Sequence, residues 1–174
     1  MIEYTVKVYD NGDIYWYMNG VRHREDGPAI EYSNGNKLWY LNDKLHREDD
    51  PAVECSNGTK EWYLNGELHR ENGPACEFIS GDKHWYFNGE RHREDGPAVE
   101  WADGSKVWFI NGKKHREDGP AVEYGNGKKY WYLNGKKLTE KKFLQMTQKH
   151  VIVIDGKDIK ISEESYKELQ KSLK

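Results

Sequence analysis

Nearly the same words return every 23 residues through most of this chain. Trp stands at 16, 39, 62, 85, 108 and 131, Asn at 19, 42, 65, 88, 111 and 134, His at 23, 46, 69, 92 and 115, and Pro at 28, 51, 74, 97 and 120. A fixed period in the range of about 20–50 residues, kept without insertions, marks stacked supersecondary units that bury their apolar faces only against neighbours. The chain is therefore an array, with residues 1–22 as an incomplete first copy.

Each full copy carries two turn signals. One series runs Asn11-Gly12, Asn34-Gly35, Asn57-Gly58, Ser80-Gly81, Asp103-Gly104 and Asn126-Gly127; the other runs Asn19-Gly20, Asn42-Asp43, Asn65-Gly66, Asn88-Gly89, Asn111-Gly112 and Asn134-Gly135. Asn-Gly between apolar residues is a strong hairpin signal, because type I′ turns need positive φ at both central positions. Asp43 tolerates the left-handed region better than most residues. The expectation is a meander of short antiparallel strands, two or three per copy, bent near each Gly-Pro. At about 4.8 Å per strand and two strands per copy, the sheet would be on the order of 50–60 Å long.

Counting outward from two-residue loops gives a pairing. Around Asn57-Gly58, Val53 faces Trp62 and Cys55 faces Lys60; around Asn65-Gly66, Trp62 faces His69 and Tyr63 faces Leu68. On that register Val53, Trp62, Leu64 and His69 share one face, and Ala52, Glu54, Tyr63 and Arg70 the other. The second face then carries ladders of Tyr, Arg and Glu.

Composition agrees with a thin sheet closed by aromatic rings. Mean hydropathy is −1.07, 33% of residues are charged and 13% are aromatic. The net charge of −3 comes from interleaved acids and bases, which excludes the footprint of a duplex nucleic acid or anionic membrane binder. The N-terminus MIEYTVKVYD has no signal-peptide pattern and no apolar run approaches the roughly 20 residues that span a bilayer, so a cytoplasmic location is expected. Cys55 and Cys76 have no CxxC spacing and read as free thiols in hydrophobic slots.

After Leu138 the grammar changes. Thr139 to Gln148 reads as an amphipathic helix, Val151 to Ile161 as a hairpin closed by Asp155-Gly156, and Ser162 as the N-cap of a final helix with Lys171 and Lys174 toward its end. Residues 139–174 read as an α+β cap over the last edge of a 1–138 array, with a separate docking element as the alternative.

No enzyme is indicated. Five near-identical HRED segments cannot be one asymmetric active site, and His residues a full repeat apart bring no second metal ligand; no P-loop, GxGxxG or nucleophile elbow is present, and no cofactor or metal is expected. Each His, set opposite a Trp, is expected to pack there and bond a loop carbonyl. Asp26, Asp49, Asn72, Asp95 and Asp118 read as turn formers bonding nearby backbone N–H groups, and recurring Arg and Glu as ion pairs. A single-partner site should lie where copies differ or where a ladder forms a surface. The departures are Trp101, His84, Phe78, Arg91, Asp43 and Asp50. The binding expectation is a Tyr/Arg face of Tyr40, Tyr63, Tyr86 and Tyr132 with Arg47, Arg70, Arg93, Arg116 and Trp101, residue types enriched at binding hot spots.

The W-x-x-N-G-x-x-H core at period 23, with segments such as NGVRHREDGPA at 19–29 and NGERHREDGPA at 88–98, resembles the MORN (membrane occupation and recognition nexus) family. The likeness is closest to the variant with HREDGPA in place of H-G-x-G, familiar from bacteriophage and large-virus proteins. The loop departs from the family by two extra residues. The resemblance implies an elongated single-layer antiparallel sheet of hairpins and a role in scaffolding or protein binding, here engagement of a host protein. Two other classes stand beside it: a sequestering protein for an anionic nucleotide-type ligand, and a self-assembling homo-oligomer pairing through sheet edges.

Overall fold

The computed structural model describes residues 3–147, 149–155 and 157–173. A 14-stranded antiparallel sheet runs through the repeats, with short two-stranded hairpins at 40–45, 63–68, 86–91 and 109–114 continuing it to one side. Backbone bonds tie each such hairpin to the next copy, for example Arg47 N to Tyr63 O at 3.1 Å and Gly66 N to Leu45 O at 2.8 Å.

One copy shows how the sequence builds the unit. Strands Tyr63–Leu64 and Glu67–Leu68 are joined by Asn65 (φ 54°) and Gly66 (φ 91°), the positive pair that type I′ requires. Asp43 fills the Gly slot at φ 64°, its carboxylate held by Arg22. This series pairs as expected, with Tyr63 opposite Leu68.

The other series does not. At Asn57-Gly58 only the glycine has positive φ, 92°, and the loop is closed by Gly58 N to Cys55 O and Cys55 N to Thr59 O, both 2.9 Å. It is a three-residue loop, a type I turn followed by a left-handed glycine. The extra loop residue moves the register by one, so Val53 faces Glu61 rather than Trp62, Glu54 faces Lys60, and Cys55 closes the loop instead of facing Lys60. Because side chains alternate, a one-residue slip exchanges the faces. Val53 therefore shares its face with Tyr63, while Trp62 shares the other with Ala75, Glu54 and Arg70.

The HREDGP segment explains the third feature of the repeat. Trp62 N donates to Ala75 O at 2.8 Å while Trp62 O accepts from His69 N at 3.0 Å. One residue thus faces two that lie six apart in sequence, and 70–74 leave the strand as a looped excursion. Trp16, Trp39, Trp85 and Trp108 bracket their own excursions in the same way. Each excursion is locked by its Arg: the guanidinium lies 3.7–4.2 Å from the ring centre of its Trp, and Nη1 donates to the Pro carbonyl and the Glu seven residues on, as in Arg70 to Pro74 O at 3.1 Å and Glu77 at 2.8 Å. The Ala after each Pro is fully buried in all five excursions.

Two clamps join neighbouring copies. The Nδ1 of each HRED histidine accepts the backbone N–H of the turn Asn in the next copy, His46 from Asn65 at 3.1 Å and His115 from Asn134 at 3.0 Å. This replaces the expected bond to a loop carbonyl. A second clamp joins Asp13 to Ser33 N, Asn36 to Ser56 N, and Asp82 to Ala102 N, at 2.7–2.8 Å. The expected turn formers Asp26, Asp95 and Asp118 instead accept from the Arg two residues back at 2.7–2.9 Å, and Arg47 uses Asp50.

A buried hydrophobic cluster lies late in the array, where Ala98, Val99, Val107, Phe109 and Val122 meet with Trp85, Trp101, Tyr130 and Tyr132 around them. Helix α1 (Glu140–Thr147) follows the last strand of the array and buries Phe143; Thr139 Oγ1 accepts Lys142 N at 3.3 Å as its N-cap. A hairpin of Lys149–Ile154 and Lys157–Ser162 follows, with Asp155 at φ 51°, then helix α2 (Glu163–Ser172). Gln148, Gly156, Lys174 and the Ser162 side chain lie outside the described residues, so the cap expected at Ser162 does too. No helix among the described residues is long and apolar enough to cross a membrane.

Candidate functional site

The Tyr and Arg series expected to form one surface are set apart. Arg47, Arg70, Arg93 and Arg116 lie over Trp39, Trp62, Trp85 and Trp108 with side chains only 22–28% exposed, bonded to their own Pro carbonyls and Glu carboxylates. Each Nη1 is taken up inside its own excursion. The tyrosines sit on the other face among different partners. Tyr40 lies under Arg22 at 4.1 Å and Tyr132 near Lys114 at 5.1 Å, Tyr63 donates to Glu61 at 3.1 Å, and Tyr86 accepts from Arg91 at 3.1 Å. Of the other expected residues only Trp101 joins the tyrosine face.

What the structure brings together on that face is a set of departures from the repeat. Cross-strand pairing gives the continuous row Val53, Glu61, Cys76, His84, Val99. The slot of Glu61 and His84 holds Tyr15, Leu38, Val107 and Tyr130 in other copies. Thus a carboxylate and an imidazole enter an otherwise apolar line near the middle of the array. Phe78 meets His84 edge-on at 5.1 Å, and Trp101 approaches its other side at 6.3 Å. Arg91, in a slot that holds Leu45 and Leu68 but also Arg22, Lys114 and Lys137, bonds Tyr86 and stands 5.5 Å from the Phe109 ring.

The electrostatics of this cluster follow from its half-buried position. Burial, then the Arg91 charge, hold the His84 imidazole below its ordinary range, so it is neutral near pH 7. Its Nε2 is buried and has no hydrogen-bond partner among the described residues. A buried polar atom without a partner costs free energy on the order of 1–3 kcal/mol, a state that the framework atoms Trp16 Nε1, His23 Nε2 and Trp62 Nε1 share. Burial, and next Glu61, push the Cys76 thiol up to about 12. That thiol stays protonated and packs as a small hydrophobe. Burial and Glu61 likewise raise Tyr63. The described residues contain no group of three His, Cys, Asp or Glu side chains placed to hold a metal.

Chemically, the cluster offers one acid, one base, a neutral imidazole and two large rings on a rigid sheet, the makings of a recognition surface. Phe78, His84 and Trp101 stand out in the sequence as departures from the repeat, whereas Arg91, read as one in the sequence, shares a basic slot with Arg22, Lys114 and Lys137. Glu61 escapes notice because it follows Lys60 in a charged stretch, and only its register partners reveal the apolar slot it fills. No protein-family model and no curated protein matches the chain.

Proposed function

We propose that this protein is a non-enzymatic binding module whose partner docks on the tyrosine face over Glu61, His84 and Arg91, flanked by Phe78 and Trp101. The observation that carries this reading is the entry of Glu61 and His84, with the Phe78 and Trp101 rings beside His84, into a row whose slot holds Tyr15, Leu38, Val107 and Tyr130 in other copies. Framework residues recur because every copy needs them, and charged or polar residues that stand once in a row filled elsewhere by apolar and aromatic side chains serve something other than the framework. The resemblance of the HREDGPA units to MORN-type repeats supports a protein as the partner, and their likeness to bacteriophage and large-virus proteins supports a host protein that is inhibited or redirected. The nucleotide-sequestering alternative loses its main support, since the Arg ladder it needs is occupied by Trp, Pro and Glu of the same excursions.

The test compares wild type with Glu61→Leu/His84→Leu/Arg91→Leu, each substitution copying another repeat. Both are used as tagged baits in bacterial lysate, read by quantitative mass spectrometry. A protein retained by wild type and depleted at least tenfold by the variant is expected, a loss of about 1.4 kcal/mol or more. Equal retention by the two baits would move the site away from this cluster.

A further inference from the structure

The Trp face presents a feature the tyrosine-face cluster does not involve. The five excursions stand side by side and leave a cleft between each neighbouring pair, four in succession, with volumes of about 400, 460, 540 and 650 Å³. Each is lined by a Trp and the residue two further on: Trp39 and Leu41, Trp62 and Leu64, Trp85 and Phe87, Trp108 and Ile110. The rims are acidic on both sides. The second cleft, for example, has Glu48 and Asp49 from one excursion and Glu71 from the next. The single Arg of an excursion does not offset these charges, because it already faces its own Glu: in the fourth excursion Arg93 meets both Asp95 and Glu100, with Glu94 in addition.

Spacing selects the ligand. Two strands per copy at about 4.8 Å place successive clefts about 9.6 Å apart. A polyproline II helix has three residues per turn and rises about 3.1 Å per residue, hence about 9.3 Å between side chains aligned on one edge. An extended β-strand covers the same distance in about three residues, but its side chains alternate, so every second cleft would be missed. An α-helix needs about 6.4 residues, which is not a whole number of turns. We propose that the Trp face binds a basic peptide in polyproline II conformation, with a Lys or Arg at every third position entering successive clefts. The aromatic and aliphatic residues lining the clefts suit such a peptide, whose proline rings pack on apolar surface. The acidic rims supply the charge complement. This inference stands apart from the proposed function, since it uses none of the same side chains.

The experiment measures fluorescence anisotropy of a labelled peptide of Arg-Pro-Pro triplets, about 15 residues long so as to reach all four clefts. It is compared with a peptide of identical composition in which the arginines are bunched. The triplet peptide is expected to bind at least tenfold more tightly, and Glu48→Gln/Glu71→Gln/Glu94→Gln is expected to abolish that preference while circular dichroism shows the fold intact. The Glu61→Leu/His84→Leu/Arg91→Leu variant should bind it as wild type does. Equal affinity for the two peptides would reduce the effect to unspecific charge attraction and overturn the proposal, as would no binding of the triplet peptide.

Discussion

Arg70 shows how far a residue's role can lie from its chemistry on paper. A recurring guanidinium beside recurring aromatics suggests a surface for a partner, yet here the cation stacks 3.7 Å from the Trp62 ring centre and ties Pro74 O to Glu77. The sequence states the ladder but not its direction, because direction depends on the looped excursion. Arg70→Ala is expected to cost about 2 kcal/mol in urea unfolding, from the lost stack and fork. Arg70→Lys should recover little of it, since a point charge reproduces neither the planar stack nor the fork; full recovery would show that charge alone matters. His84 gives a second test at this scale. Its folded-state affinity for protons is depressed below the ordinary value of 6.5, so the unfolded chain takes up the proton first and stability falls with pH below that value. Between about pH 7.5 and about pH 5 the Tm of His84→Leu should drop less than that of wild type. Equal drops would mean that this imidazole is not held neutral by its surroundings.

At the scale of the element, the two turn series look alike in sequence and fold differently. Asn65-Gly66 is flanked by residues that pair at once, whereas Gly58 is the third residue of a loop closed by Cys55 and Thr59. The dipeptide alone does not say whether one or two left-handed positions are used, and that single residue decides which face Val53 and Trp62 occupy. The antiparallel hairpin architecture and the type I′ series were legible; the faces were not. The inter-copy clamps were also invisible, because His46 and Asn65 are 19 residues apart and their bond exists only once copies stack. His46→Leu should destabilise by about 1–2 kcal/mol through the orphaned turn N–H. Amide exchange should accelerate at Asn65 first and least in the distant copies, as expected for units coupled to nearest neighbours. Uniform acceleration along the array would contradict that coupling.

Across the whole molecule, periodicity and its lapses divide the labour. The repeated Trp, Ala, Pro, Arg, His and Asn hold the excursions and turns, and the period that displays them also reveals the sheet. The candidate site is legible only in part: His84 departs visibly from the repeat, whereas Glu61 is an ordinary charged residue until register shows that it interrupts an apolar row. If the framework carries the fold and this cluster carries recognition, restoring the repeat should not harm folding. The most direct measurement is the Tm of Glu61→Leu/Cys76→Val/His84→Leu/Arg91→Leu against wild type at neutral pH. An unchanged or higher Tm is predicted, because a buried imidazole nitrogen without a partner gives way to apolar packing already used by other copies. A Tm clearly below wild type would show that these four residues hold the sheet together, and would contradict their assignment to recognition.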